Sequence, residues 1–267
     1  MEQGYFEQYG LDVEVQIAQN AAAVAPSVLN GQLQFGFAAA SPFIGAVSRG
    51  LPLYAVANSS SNSVDGSDET GLVAVADSPL ERPRDLVGKT VAVNGLSALP
   101  HVAAMEAIER DGGDPDTVTF VAMPFPDMIG ALRQGRIDAA ALAEPFYSRS
   151  LDAGYQQLST LYATAFEPGS TTTLYFTAGP FIETNPEVVE NFTNAIELAI
   201  ADAARDDQLV RDVLVEYGNM DPQAAQTMGL PHYSTELTPH GLEQISDVMA
   251  KFDIITEPIE GSEVIYP

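Results

Sequence analysis

Three histidines and no cysteine bound the chemistry open to this chain. His101, His232 and His240 are scattered, and none sits in HExxH or another metal-ligand spacing. Without cysteine, a thiolate nucleophile, an iron–sulfur cluster, a Cys-ligated zinc and a disulfide framework are all excluded. No G-x-S-x-G elbow, P-loop or G-x-G-x-x-G occurs. Asp65-Gly66-Ser67-Asp68-Glu69 offers calcium-like oxygens but lacks EF-hand spacing and its terminal bidentate Glu, so it reads as a solvated loop. His101 follows Pro100 in the first turn of an expected helix and reads as a surface or helix-start residue. The expectation is no catalytic residue, no metal ligand and no cofactor.

What the sequence does offer is hydrogen-bonding and aromatic side chains where strand-like runs end. In open parallel α/β sheets, ligands sit beyond the C-terminal ends of the strands, where helix N-termini gather. That rule selects Gln19 and Asn20, Ser41-Pro42-Phe43, Asn58-Ser59-Ser60, residues 94–100 and Glu144-Pro145-Phe146, with residues 123–127 and 169–172 as weaker additions. The candidate ligand-binding residues are Gln19, Ser41, Phe43, Asn58, Ser59, Asn94, Ser97, Phe125, Glu144, Phe146, Thr171 and Thr172. For any single Ser or Asn here, helix capping is the better explanation. The set as a whole points to a cleft. Phe43, Phe125 and Phe146 each follow a proline at a strand end, where a ring either joins the core or flanks a ligand.

The elements that must position these residues follow from periodicity. Residues 2–9 read as the end of a helix stopped by Gly10, and residues 11–18 alternate apolar and polar like a half-buried strand. A helix over 21–30 ends at Gly31, a strand covers 33–39, and Ser41-Pro42 opens a helix closed by Gly50. Residues 53–57 complete a β-α-β-α-β unit. The same unit recurs downstream: strands at 90–93, 117–122 and 137–143, with helices at 97–110, 126–134 and from Pro145 to near Gly154. Asn30-Gly31-Gln32-Leu33-Gln34-Phe35 before Ser41-Pro42-Phe43 matches Gln134-Gly135-Arg136-Ile137-Asp138-Ala139 before Glu144-Pro145-Phe146, with one residue of offset. Two equivalent α/β lobes with mainly parallel sheets are expected. Strands at 71–76 and 172–178 are the natural crossovers. That gives lobe 1 over 1–76, lobe 2 over 77–178, and a helical return to lobe 1 over 179–267, with helices at 207–217, 222–228 and 239–252 and an irregular tail.

The charge balance excludes partners. There are 37 Asp and Glu against 11 Lys and Arg, a net charge of −26 over 267 residues. Nucleic acid needs clustered cations to neutralise phosphate, and an anionic membrane needs a basic patch. No apolar run approaches the roughly 20 residues that span a bilayer. The abrupt opening reads as cut: an upstream strand and the first part of the 2–9 helix are expected to be missing, Met1 to be an internal methionine, and a signal peptide to be absent from this chain.

Several segments then combine into a resemblance. Gly4-Tyr5-Phe6-Glu7-Gln8-Tyr9-Gly10-Leu11-Asp12-Val13, Asp85-Leu86-Val87-Gly88-Lys89-Thr90-Val91-Ala92-Val93, Ala131-Leu132-Arg133-Gln134-Gly135-Arg136-Ile137-Asp138-Ala139, Glu144-Pro145-Phe146 and Asn185-Pro186-Glu187-Val188-Val189 appear in this order. They are similar to segments of the nitrate/sulfonate/taurine family of ABC-transporter substrate-binding proteins, which includes thiamine-precursor binders. The resemblance runs from Gly4 to about Asp206. Two departures stand out: the family's first strand and loop are lacking, and Gln34 stands where relatives usually carry Asp.

The resemblance implies a type-2 periplasmic-binding-protein fold, two lobes hinged at 71–76 and 172–178 that close over a small molecule. It implies an extracytoplasmic protein, periplasmic or lipid-anchored, working as a monomer and delivering its ligand to an ABC permease and ATPase. The cleft loops carry no Lys or Arg, and Glu144 adds a carboxylate, so a compact inorganic anion is disfavoured. A neutral, zwitterionic or cationic organic molecule fits better, with the three Phe rings open to an aromatic part, and an aromatic carboxylate held by Ser, Asn and backbone donors is the alternative. The competing reading is an enzyme on the same fold, similar to the chorismate dehydratase of the menaquinone pathway, with Glu144 as base. The yeast-type thiamine-pyrimidine synthase also resembles the family, but it requires cysteines and an active-site histidine. An effector-sensing domain of a regulator finds no DNA-binding segment in this chain.

Overall fold

The computed structural model describes residues 3–18 and 23–267. The chain divides into two compact units, one of residues 1–61, 169–206 and 233–267, the other of residues 62–168 and 207–232. The chain therefore passes between units four times, at 61/62, 168/169, 206/207 and 232/233. The expected boundaries at 76/77 and 178/179 differ because the supposed crossover strands each lie wholly inside one sheet.

In the first unit, a short helix α1 (Tyr5–Gln8) is followed by α2 (Val24–Leu29), β1 (Gly36–Ala39), α3 (Ala40–Val47) and β2 (Leu53–Ser61). The second unit opens with β3 (Thr70–Ala74), then β4 (Thr90–Val93), α4 (Leu99–Arg110), β5 (Thr119–Ala122), α5 (Phe125–Arg133), β6 (Ala139–Ala143), α6 (Phe146–Asp152), β7 (Gln156–Thr160) and α7 (Tyr162–Ala165). The chain returns to the first unit through β8 (Thr171–Ala178), α8 (Gly179–Thr184) and α9 (Pro186–Ala203). Helices α10 (Asp207–Glu216) and α11 (Pro222–Thr227) belong to the second unit, and α12 (Pro239–Lys251) and α13 (Gly261–Val264) to the first.

Unit 1 is built on a sheet of order β1-β8-β2, with β8 antiparallel to both neighbours. Successive residues of β8 face opposite ways, as the pleat demands. Tyr175 meets Phe192 of α9 at 5.8 Å, while Phe176 meets Phe43 of α3 at 5.6 Å. Helices thus cover both faces. On the α9 side, Val56, Val189, Phe192 and Ile196 form the core, joined by Phe6 and Phe35. The tail ties in through the Tyr266 amide, which donates to the Ala55 carbonyl at 2.8 Å.

Unit 2 has the sheet order β5-β4-β6-β3-β7. Strands β5, β4 and β6 pair in parallel, as expected, whereas β3 runs antiparallel to β6 and β7. The antiparallel strands β3 and β8, each flanked by a strand on both sides, make the architecture mixed α/β rather than mainly parallel. Val73, Ala92, Met128, Leu132, Leu142 and Tyr147 form one core of this unit, and α4 is buried from Leu99 to Ile108.

Residues 11–18 do not form the expected strand. They join no ladder among the described residues, and Val15 and Ile17 are 65% and 88% exposed. Alternation prescribes which side would be buried, but a strand also needs a neighbour to pair with. Among the described residues, no helix is long and apolar enough to cross a membrane.

Candidate functional site

The unit 1 sheet gathers Ser, Thr and Asn at one end. Register sets Ala39 of β1 and Ser60 of β2 against Thr173, and Ser61 against Thr171, so the end of β1, the end of β2 and the start of β8 coincide. Ser41 lies just past β1, Asn58 lies in the last part of β2, and Ser170 and Thr171 lie where β8 opens. All four are at most 1% exposed. Ser41 Oγ, Asn58 Oδ1, Ser170 Oγ and Thr171 Oγ1 have no hydrogen-bond partner among the described residues. Folded proteins leave few buried polar atoms in that state, and several at one end of a sheet need an explanation such as a ligand or bound water.

The neighbouring candidates are placed differently. Thr172 Oγ1 pairs with Ser60 Oγ at 2.8 Å, and Ser60 also meets Thr173 Oγ1 at 2.6 Å. Ser59 is buried and its carbonyl accepts from the Ser234 amide at 3.2 Å. Ser41 does not cap α3: the helix begins one residue earlier, behind Ala39, with no side-chain cap. Phe43 is 1% exposed and packs on Phe176, so of the two alternatives it belongs to the core. Gln19 and Asn20 lie outside the described residues. Ser170 falls in the 169–172 segment selected as a weaker addition, but it is not among the candidate residues named from the sequence. Its signal was its place in the polar run Ser170-Thr171-Thr172-Thr173.

In unit 2, Asn94 and Ser97 are exposed in the turn between β4 and α4, and Ser97 has a left-handed backbone with φ 64°. Phe125 and Phe146 stack at 6.0 Å and 21°, half-buried against the core. Glu144 is already engaged: Ser148 donates from its hydroxyl at 2.6 Å and its amide at 3.2 Å, and the Gly229 amide donates at 3.0 Å. The last bond fastens the 207–232 segment to unit 2. This carboxylate closes the first turn of α6 and holds a distant loop, a role invisible in the local motif.

His101 is buried, 8% exposed, rather than at the surface. Its Nδ1 accepts the Ser97 amide at 3.0 Å, and its ring stands edge-on to Phe120 at 4.5 Å. Burial pushes its pKa down to about 4, so the ring is a neutral acceptor at pH 7. A base whose folded pKa is depressed contributes stability above its unfolded value and loses it as pH falls toward the folded one. His101→Phe should keep the ring contact and lose the acceptor. We expect it to cost about 1 kcal/mol at pH 7 and to flatten the melting temperature between pH 6.5 and 4. An unchanged acid slope would refute this role.

The acidic run at 65–69 is only partly the expected solvated loop. Asp65 is exposed and accepts from the Ser67 amide and the Ser63 hydroxyl, which hold its pKa below the usual range. Asp68 and Glu69 turn inward. Asp68 accepts from the Thr70 amide and hydroxyl and from the Ala163 amide, yet burial still raises its pKa. Glu69 is pushed up to about 7, first by burial and then by Asp68 and Glu144. Among the described residues, no group of three or more His, Asp or Glu side chains is arranged to hold a metal ion.

Two surface hollows lie elsewhere. One of about 570 Å³ in unit 2 is lined by Val75, Leu132, Arg133 and Tyr155. The other, about 480 Å³ in unit 1, is lined by Glu190, Asn194, Thr235 and Tyr266. Neither includes the unpartnered polar atoms.

Comparison with known proteins completes the picture. The formylaminopyrimidine-binding protein of Halalkalibacterium halodurans is 29% identical over 140 residues, 52% of this chain and 40% of that protein's length. The periplasmic aliphatic sulphonate-binding protein SsuA of Escherichia coli superposes with a TM-score of 0.76 at 17% identity, covering 99% of this chain and 91% of that one. The ligand-binding component of an ABC-type import system from Staphylococcus aureus, solved with zinc bound, gives 0.80 at 13%, covering 98% and 89%. These likenesses establish the periplasmic-binding-protein fold. The NMT1/THI5-like family profile matches residues 1–208, and the chain belongs to that family.

Proposed function

We propose that this protein is an extracytoplasmic solute-binding protein. It captures a small organic molecule and delivers it to the permease and ATPase of an ABC importer. The observation that carries this reading is the group of buried, unpartnered polar atoms at Ser41, Asn58, Ser170 and Thr171. They offer hydrogen bonds to a guest and, among the described residues, none of these hydroxyls has the base partner that nucleophilic catalysis requires. The lyase alternative would use Glu144 as base. That carboxylate is taken by Ser148 and Gly229, which favours binding over turnover. Family membership and the names of the relatives point the same way.

The test is a thermal-shift screen of the purified chain against amines, amino acids, pyrimidines, sulfonates and aromatic acids. A true ligand at 100 times its dissociation constant should stabilise the fold by about 2.7 kcal/mol and be recovered unchanged by mass spectrometry. Consumption of the compound, or no stabilisation by any class, would overturn the reading.

A further inference from the structure

Three of the four unpartnered atoms are hydroxyls, which rotate to donate or accept as a guest requires. The fourth has no such freedom. Asn58 Nδ2 lies 3.0 Å from the Glu236 carbonyl oxygen and 2.8 Å from Ser61 Oγ. A backbone carbonyl only accepts, so the nitrogen must be the atom that faces it. Turning the amide over would set two oxygens against each other. Oδ1 is therefore the free end, held in place by two donated bonds in a side chain 1% exposed. No described residue donates to it. A buried carbonyl oxygen in that position can be satisfied only by an N–H or O–H, and a donor-free group placed against it leaves it desolvated and unpaired.

Resting on the solute-binding reading above, we propose that Asn58 is the specificity-determining residue of the unit 1 site. It selects ligands that present an N–H or O–H donor, such as an amine, amide or aminoheterocycle, and disfavours donor-free anions such as sulfonates. None of the four residues carries a charge that would hold a bare anion in its place.

Matched pairs of probes test this. Calorimetric titration of the wild-type chain would compare 4-aminopyrimidine with its N,N-dimethyl counterpart and benzamide with N,N-dimethylbenzamide, with methanesulfonate as the donor-free anion. The donor-bearing member should bind about 100-fold more tightly, since a site built around a hydrogen bond rejects the analogue that lacks it. In Asn58→Ala, checked for folding by circular dichroism, that ratio should fall toward one. If the variant does not fold, the wild-type ratio alone decides. Equal affinities within the pairs, tighter binding of methanesulfonate, or a preserved ratio in folded Asn58→Ala would each overturn the proposal while leaving solute binding intact. Failure of every probe to bind would count against solute binding itself, and the Asn58 assignment would fall with it.

Discussion

Gly71→Ala is expected to destabilise unit 2 by about 3 kcal/mol or more, because an added methyl displaces a core ring. Gly71 sits in β3, between β6 and β7, in a strand buried along its whole length. A Cβ at this position would lie 2.1 Å from Tyr147 Cε2 and 2.3 Å from Cζ, far inside contact distance. Tyr147 is 5% exposed and packed among Val73, Met128 and Leu142, so its ring has no open side to move into. Backbone strain is not the cause, since Gly71 is not among the glycines with positive φ. A double-mutant cycle with Tyr147→Ala isolates the contact. If the clash is responsible, Gly71→Ala should cost almost nothing once the ring is gone, measured by urea unfolding. Additive losses in the two variants would contradict the argument.

The same residue illustrates what could and could not be read from the sequence. The run at 71–76 was legible as a strand because it is apolar and follows a polar stretch. Its direction and neighbours were not, since an all-apolar strand carries no information about which edges it pairs with. It therefore reads as a crossover between lobes, whereas β3 is an interior strand of the unit 2 sheet, paired with β6 and β7. Helix ends were legible for a simpler reason: Gly31, Gly50, Gly112, Gly135 and Gly154 all adopt the left-handed conformation that stops a helix. The site shows the same division. Ser, Asn and Thr at strand ends could be picked by type and position. Which of them are spoken for depends on partners far away in the chain, such as Glu236 for Asn58 and Gly229 for Glu144. Local patterns are silent about bonds that span 178 or 85 residues.

Long-range burial also decides the second large effect, a loss of stability as pH rises through neutrality. Glu69 belongs to an acidic run that looks solvated, yet its carboxyl is held inward beside Asp68 and Glu144. Its pKa rises from 4.5 to about 7, chiefly because burial disfavours the charged form. Below pH 4.5 the group is protonated whether the chain is folded or not, and it imposes no penalty. Between 4.5 and 7 the unfolded chain releases the proton while the folded chain retains it, so stability falls as pH rises. Above about 7 the folded carboxyl ionises too and the penalty is complete, on the order of 3 kcal/mol. Asp68, also raised, adds to the decline in the same direction. Glu69→Gln keeps the shape and removes the charge. It should match the wild type near pH 4, exceed its stability by about 3 kcal/mol at pH 8, and keep only the slopes that come from other groups, the decline due to Asp68 and the opposite rise due to His101 below about pH 6.5. Urea unfolding at pH 4, 6 and 8 measures all three. Parallel pH profiles for the two proteins would show that Glu69 reaches solvent freely and that the decline comes from elsewhere.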